Sequence, residues 1–140
     1  IAQGIVYISS VDSTLYALDA KTGWVIWRFR LGKPSISTPY IHGDQLYVGA
    51  IDGVLYCLET GSARELWRYV TQNQITASPT VFENVVLCGS VDGNLYCLDT
   101  STGKLRWKFE TKGPITGSPA TNQSLIYFGS ADKNFYALPL

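Results

Sequence analysis

The sequence repeats itself every 40 residues without a gap, and this period constrains the fold more than any other feature. Four columns of the repeat stay in phase along the chain: Asp12, Asp52, Asp92 and Asp132; Tyr16, Tyr56, Tyr96 and Tyr136; Trp27, Trp67 and Trp107; Pro39, Pro79 and Pro119. A fixed period of this size indicates an array in which each repeat is one small unit packed against its neighbours. We therefore predict a single repeat domain over residues 1–140.

Short strands account for each repeat. Apolar residues alternate with a period of two in segments such as 46–49 and 55–58, which predicts strands. The Asp-Gly pairs at 52–53 and 92–93 predict a tight hairpin between two such strands. A third strand contains the tryptophan (65–70), and a fourth runs through Ser-Pro (75–81). Four antiparallel strands per 40 residues predict an all-β fold made of β-propeller blades.

The hairpin turn also predicts a register. A two-residue turn centred on Asp92 and Gly93 would place Gly89 opposite Tyr96, whose ring could cover the bare glycine backbone. The same register would make Cys88 and Cys97 cross-strand neighbours, which raises the hypothesis of a redox switch. We favour ordinary packed thiols, because cross-strand disulfides are strained.

The cysteines do not form a recognisable framework. There are three of them, and no Cys-x-x-Cys spacing occurs. Cys57 and Cys97 share a column with Ala17 and Ala137, so we predict small, buried, reduced side chains. Unpaired cysteines favour a reducing compartment, although no targeting signal in the sequence identifies one.

The segments that lead into the tryptophans resemble a known family. Residues 17–27 have the sequence Ala-Leu-Asp-Ala-Lys-Thr-Gly-Trp-Val-Ile-Trp, and residues 97–107 have Cys-Leu-Asp-Thr-Ser-Thr-Gly-Lys-Leu-Arg-Trp. Both are similar to the tryptophan-docking motif of the PQQ-like (quinoprotein-type) β-propeller repeats. The resemblance implies that Trp27, Trp67 and Trp107 are each sandwiched between neighbouring blades.

The second copy of the motif departs from this pattern. It has Glu59 at the Asp column and Ala63 at the Gly column, so we expect its turn to differ locally while its tryptophan keeps its place.

The resemblance also implies an order of strands, with the Ser-Pro strand innermost and the Trp strand outermost. The chain then divides into a partial blade at about 1–34, two full blades at 35–74 and 75–114, and a partial blade at 115–140, about three and a half repeats in all. Pro139 stands where Asp19, Glu59 and Asp99 begin the docking turn, which suggests a natural C-terminus and the C-terminal part of a larger ring.

An open arc of this kind leaves strand edges and apolar blade faces uncovered. We expect it to self-associate, to be completed as an oligomer, or to require a missing portion.

Charge and hydropathy exclude two classes of partner. Eleven Lys and Arg residues balance eleven Asp and Glu residues, so there is no excess of positive charge with which to hold a phosphate backbone. No apolar run approaches the roughly 20 residues of a spanning helix. Neither nucleic acid nor a membrane span is expected.

Residue types that carry chemistry are sparse. The four aspartates of the hairpin turns could form a carboxylate circle for calcium, but Asp in such turns usually accepts hydrogen bonds from the turn's own amides. His42 is the only histidine and has no nucleophile or acid at a recognisable spacing. We predict no catalytic, cofactor-binding or metal-binding residue.

A candidate interaction surface is easier to define. Trp24 occupies the column of Arg64 and Lys104, so the repeat predicts that this indole is exposed. The loops that enter the innermost strands carry polar residues and should share a face with the Asp turns. The predicted surface residues are Trp24, Lys33, Gln72, Asn73 and Lys112.

The leading hypothesis is a non-catalytic scaffold or sensor module that binds protein or ligand as part of a larger protein. All three intervals between repeats are equal, which leaves no insertion for a catalytic loop. Relatives in the resembling family include scaffolds for outer-membrane assembly and sensor domains attached to kinases. One alternative is a fragment of a PQQ-dependent quinoprotein dehydrogenase, although the chain lacks the adjacent cysteines that this would imply. Another is an engineered or excised propeller fragment without a function of its own.

Overall fold

Fourteen strands and no helix make up the chain, and the computed structural model describes all of residues 1–140. The strands are β1 (Ile5–Ser9), β2 (Thr14–Asp19), β3 (Val25–Arg30), β4 (Tyr40–His42), β5 (Gln45–Gly49), β6 (Val54–Glu59), β7 (Glu65–Val70), β8 (Thr80–Phe82), β9 (Val85–Gly89), β10 (Asn94–Asp99), β11 (Leu105–Glu110), β12 (Ala120–Thr121), β13 (Leu125–Gly129) and β14 (Phe135–Pro139). The prediction of an all-β fold is confirmed.

The strands form four antiparallel sheets, which we call blades 1 to 4. Blade 1 is β1-β2-β3, blade 2 is β4-β5-β6-β7, blade 3 is β8-β9-β10-β11 in sequence order, and blade 4 is β12-β13-β14. Strand β8 lies beside both β4 and β12, so the innermost strands of successive blades are neighbours. Blade 1 has no innermost strand and blade 4 has no outermost strand.

The predictions for the Trp strand and the Ser-Pro strand have different outcomes. The Trp strand β7 spans Glu65–Val70 as predicted. The Ser-Pro strand is much shorter than the predicted 75–81, since β8 begins only at Thr80. The amide of Ile75 is already used by the carbonyl of Ala50, and Pro79 has no N–H to donate to a ladder.

The predicted hairpin register is wrong by one residue. Gly89 lies opposite Leu95, and Tyr96 lies opposite Cys88. The turn is longer than two residues, because the Ser90 amide bonds to the Asn94 carbonyl at 3.0 Å and the Gly93 amide to the Ser90 carbonyl at 3.1 Å. Gly93 takes a left-handed φ of 89°, as in a three-residue hairpin loop.

This shift also removes the redox-switch hypothesis. Cys97 lies opposite Leu87, so Cys88 and Cys97 point to opposite faces of blade 3. The prediction of buried thiols is confirmed for Cys57 and Cys97, and Cys88 is buried and unpaired as well. Burial raises the pKa of Cys57 and Cys88 to about 12 and that of Cys97 to about 11.

The apolar core consists of three clusters, one at each junction between adjacent blades. Each cluster combines one face of a blade with the opposite face of the next blade along the chain. Ile75 packs so closely on Gly49 that a Cβ on this glycine would lie 2.1 Å from Cγ2 of Ile75. At the first junction the same two columns hold Ser9 and Ser35. The two columns therefore vary together, with isoleucine paired with glycine across the later junction and serine paired with serine across the first.

Candidate interaction surfaces

The docking tryptophans join successive blades. The indole Nε1–H of Trp27 donates to the carbonyl of Thr60 at 2.8 Å, and that of Trp67 donates to the carbonyl of Thr100 at 2.8 Å. Each acceptor lies in the docking turn of the following blade, and both indoles are half-buried. A Cβ on Gly103 would lie 2.5 Å from Cδ2 of Trp67, so the glycine lies directly against this indole.

The docking turn of blade 2 does not differ in its backbone, contrary to the expectation from its sequence. The Ala63 amide donates to the Glu59 carbonyl at 3.0 Å, as the Gly23 amide does to the Asp19 carbonyl at 2.8 Å. Ala63 adopts the left-handed conformation with a φ of 60°. The surrounding turn and the neighbouring blade thus impose a conformation that alanine disfavours by itself.

The difference between the docking turns lies in their side chains. Asp99 accepts the amides of Ser101 and Thr102 at 2.9 and 3.0 Å. Glu59 accepts the hydroxyl of Ser62 but no amide of its turn.

The third docking tryptophan has a different environment. Trp107 is half-buried but makes no hydrogen bond within the chain, and Leu140 occupies the column of Thr60 and Thr100. A cavity of about 450 Å³ opens beside Trp107. It is lined by Phe82, Glu83, Asn84, Val85, Cys97, Arg106, Trp107, Gln123, Ile126 and Leu140. This cavity lies where blade 4 has no outermost strand.

The loops that follow the Trp strands form a second surface, together with the hairpin turns; we call it the loop face. It consists of residues 32–34, 72–74 and 112–114 with turns 50–53, 90–93 and 130–133. In the central loop, the Gln72 amide donates to the carboxylate of Asp92 at 3.0 Å and the Val91 amide to the Gln74 carbonyl at 2.8 Å. The Thr71 hydroxyl donates to the carbonyl of Gly53 at 2.8 Å. The loop is thus bonded to two blades at once.

The same arrangement recurs in the loop of the next repeat. The Lys112 amide donates to Asp132 at 3.1 Å, and the Ala131 amide to the Pro114 carbonyl at 2.9 Å. In the first repeat, the Ile51 amide donates to the Pro34 carbonyl at 3.0 Å, whereas the Gly32 amide donates to the hydroxyl of Tyr56 instead of the aspartate. Because the bonds recur, the three loops are held at corresponding positions on their blades.

The turn aspartates act as hydrogen-bond acceptors at the centre of this arrangement. Each accepts the hydroxyl of the tyrosine four residues later, at 2.6 to 2.8 Å. The Tyr136 bond, opposed by partial desolvation and supported by two amides, lowers the pKa of Asp132 to about 2. Partial burial opposes ionisation of Asp92, but bonds from Tyr96, Asn94 and the Gln72 amide outweigh it and lower its pKa. The carboxylates thus accept hydrogen bonds from both the hairpin turns and the adjoining loops.

The predicted surface residues lie in two places. Lys33, Gln72, Asn73 and Lys112 are all exposed on the loop face. Trp24 is 78% exposed, as its column predicts, but it precedes β3 whereas Lys33 follows that strand. Six strand residues separate them by about 20 Å. The structure therefore does not bring Trp24 together with the other four.

Sequence reasoning did not identify the residues of the two free blade faces. Phe135 is 73% exposed, although Leu15, Leu55 and Leu95 in its column are fully buried. Ile8 is 49% exposed, although Val48 in its column is fully buried. A comparison of each apolar column between the first, inner and last repeats would have found them.

Other sites contribute little. His42 is exposed, and no group of three or more His, Cys, Asp or Glu side chains is arranged to hold a metal ion. No helical segment of the chain has the length and hydrophobicity of a membrane span.

Comparisons with known proteins agree with this geometry. A family model described as outer membrane protein assembly factor BamB matches the chain twice, over residues 1–81 and 64–139. No curated protein matches the chain significantly. BamB from Moraxella catarrhalis superposes with a TM-score of 0.88 and 28% identity, over 98% of this chain and 47% of that one. The chain thus spans about half the length of this relative.

Two computationally designed proteins have the same fold. Ika4 superposes with a TM-score of 0.90 and 21% identity, over 100% of this chain and 88% of that one. Ika8 superposes with a TM-score of 0.89 and 20% identity, over 100% of this chain and 44% of that one.

Proposed function

Because the chain belongs to the PQQ-like β-propeller repeat family, through the model described as outer membrane protein assembly factor BamB, we propose that it is a non-catalytic scaffold that binds protein partners through its loop face. It would act as a module of a larger propeller protein. The observation that carries this proposal is the repeated bonding of each loop across a blade boundary, as in the 3.0 Å bond from the Gln72 amide to Asp92. A loop that is already ordered loses little conformational entropy when a partner binds it.

The side chains on these loops suit contact with a protein. Lys33, Gln72, Asn73 and Lys112 are exposed and combine positive charge with amide donors and acceptors. Trp24, at the other end of its blade, offers a second and separate contact, since exposed indoles are favoured at interfaces.

Site-specific photo-crosslinking in the native cell tests the loop face. A photoreactive amino acid at Asn73 or Lys112 should give the same discrete protein adduct. The matched control is Ser101, which is also exposed but lies in a docking turn at the opposite end of the strands. Adducts of equal yield from all three positions, or none from the loop positions, would contradict the proposal.

A second experiment separates the scaffold from a quinoprotein dehydrogenase. Pyrroloquinoline quinone and Ca²⁺ are added together to the purified chain, and the absorbance spectrum is followed. We expect no saturable change. A saturable change with dye reduction in the presence of an alcohol would favour the enzyme instead.

A further inference from the structure

The outermost strands β3, β7 and β11 each have one edge that no other strand covers. Each of them is the last strand in the order of its sheet. In β3 the Leu31 amide donates to the Ser13 carbonyl at 2.8 Å. Because the bonds of an antiparallel ladder alternate in direction, the amides and carbonyls of Arg28 and Arg30 point away from β2. These main-chain groups are available to a further strand.

The side chains of the β3 edge differ from those of the other two edges. Strand β3 carries Arg28 and Arg30 and no acidic residue, whereas β7 and β11 each contain a glutamate. Neither arginine of β3 forms an ion pair, and Arg30 donates only to the carbonyl of Asp12. In β7, by contrast, Arg68 is paired with a glutamate of its own strand at 2.7 Å. The edge of β3 thus carries two positive charges without an acidic partner.

The exposure of this edge is a property of its columns. Blades 2 and 3 have a neighbouring blade on each side, yet the side chains in the columns of Arg28 and Arg30 are exposed there too. These are Arg68, Lys108, Val70 and Glu110. A neighbouring blade therefore leaves these two columns open to solvent.

An indole lies at the other end of the same edge. Trp24 and Val25 are 78% and 45% exposed, and the other two edges have a basic residue in the column of Trp24. The pairing of β3 with β2 shifts at a bulge, where Ile26 has no partner. The bulge interrupts regular pairing, so an added segment would pair with residues 27–30 and then pass beside Trp24.

We infer that β3 binds an extended segment of a protein partner, which adds to blade 1 as an antiparallel strand and carries two acidic side chains two residues apart. Residues directly opposite Arg28 and Arg30 would exchange main-chain hydrogen bonds with them and place their side chains on the same face. Acidic side chains at these positions meet the two guanidinium groups. An apolar side chain further along the segment covers Trp24. This inference rests on the proposed role as a protein-binding scaffold and specifies the partner chemistry at the Trp24 contact.

Other occupants use fewer of these features. A second copy of β3, paired antiparallel in the same register, would bring arginine side chains next to arginine side chains, which is unfavourable. A phosphate backbone would meet the charges but leave the main-chain groups of β3 unused. An extended acidic segment uses the open edge, the two arginines and the indole together.

Amide NMR spectra of the whole chain, titrated with a synthetic peptide, test the inference. The peptide is acetyl-Glu-Thr-Glu-Val-Val-Thr-amide, in which the two Glu residues would lie opposite Arg30 and Arg28. It should shift the amide resonances of Arg28 and Arg30 and slow their hydrogen exchange. The corresponding amides of β11, those of Lys108 and Glu110, should not change.

Two methylated peptides separate strand pairing from attraction by charge. One carries N-methyl groups on the two Glu residues, whose amides would face β3. The other carries them on the first Thr and the first Val, whose amides would face away from β3. The first should not bind, whereas the second should bind within about threefold of the unmodified peptide, because only the first loses donors to the ladder.

A charge reversal on each of two strands tests the choice of edge. Arg28→Glu should weaken binding of the peptide about tenfold, because an attractive cross-strand pair becomes a like-charge pair. The matched control is Lys108→Glu, the same reversal in the same column of blade 3, which should change the affinity by less than about twofold. Both side chains are exposed, so both variants should fold.

Three results would overturn the inference. These are no shift of the Arg28 and Arg30 amides at about 1 mM peptide, equal binding by the two methylated peptides, or equal weakening by the two charge reversals. Either of the last two would indicate attraction by charge alone. Failure of the loop-face proposal is distinguishable, because crosslinking from Asn73 and Lys112 does not involve β3.

Discussion

Replacing Gly103 with alanine should destabilise the protein far more than replacing Gly23, although both occupy the same column of the docking turn. Their φ angles are 69° and 73°, so the backbone strain of an alanine is the same at both positions. A left-handed alanine costs about 1–2 kcal/mol, offset by about 0.4–1 kcal/mol because the unfolded chain loses the freedom of glycine. Gly23→Ala should therefore cost about 1 kcal/mol.

The collision with Trp67 distinguishes the two sites. A Cβ at Gly103 would lie 2.5 to 2.8 Å from three atoms of the Trp67 ring, whereas one at Gly23 meets nothing within 4 Å. The Trp67 ring would have to shift while keeping the bond from its Nε1–H to Thr100. Overpacking of this kind adds about 1–3 kcal/mol. The total for Gly103→Ala is about 2–4 kcal/mol.

Urea unfolding at one protein concentration, followed by tryptophan fluorescence, measures both changes. With a slope of about 1.5 kcal/mol per molar urea, the midpoint should fall by about 0.7 M for Gly23→Ala and by about 2 M for Gly103→Ala. In a Trp67→Leu background the extra cost at Gly103 should largely disappear. Equal midpoints for the two single variants, or no coupling to Trp67, would refute the docking contact as the cause.

Three further predictions concern other parts of the fold. Ser35→Ile should destabilise the chain by about 1–3 kcal/mol through overpacking against Ser9, and Ser9→Gly in the same chain should recover most of that cost in a denaturation cycle. The pKa of Asp92 is lowered in the folded state, so its contribution to stability is complete above the unfolded value of about 3.9. That contribution is lost as the pH falls through the folded value. Urea midpoints should therefore fall below pH 4, and Asp92→Asn should flatten that part of the profile. The buried thiols should resist Ellman's reagent at pH 8 until urea unfolds the chain, and mass spectrometry after mild oxidation should find no disulfide between Cys88 and Cys97.

The period, the blade architecture and the docking columns could be predicted from the sequence because identical packing recurs at every junction. Trp27 and Trp67 occupy one column and donate to one column of carbonyls, Thr60 and Thr100, at the same distance of 2.8 Å. The exposure of Trp24 followed from its column as well. Where geometry repeats, one side chain predicts the next.

The register could not be predicted because an Asp-Gly pair is compatible with loops of two or three residues. The additional loop residue in blade 3 is Val91, which has no turn preference of its own. Its amide is held by the Gln74 carbonyl of the adjoining loop at 2.8 Å, a contact that lies outside the hairpin. A single residue of loop length then reversed the faces of Cys88 and Cys97 relative to each other.

Tertiary contacts also override local preference at Ala63. Its left-handed φ of 60° is unfavourable for alanine, so the sequence favoured a different turn. The hydrogen bond from Trp27 to the Thr60 carbonyl fixes the same turn from the neighbouring blade. This contact with the neighbouring blade lies outside the local motif, so a motif search cannot take it into account.

What distinguishes this chain from a generic propeller repeat lies in the columns that vary. Phe135 occupies a column that holds buried leucines in the three earlier repeats, and Ser9 with Ser35 occupies the columns that hold glycine and isoleucine at the later junctions. The repeated columns specify how blades stack, and any chain with the same stacking would share them. The varying columns lie at Phe135, at the first junction and at the exposed Trp24. Specific recognition must use side chains that differ between repeats, so these positions and the loop face are where binding by this chain is most informatively tested.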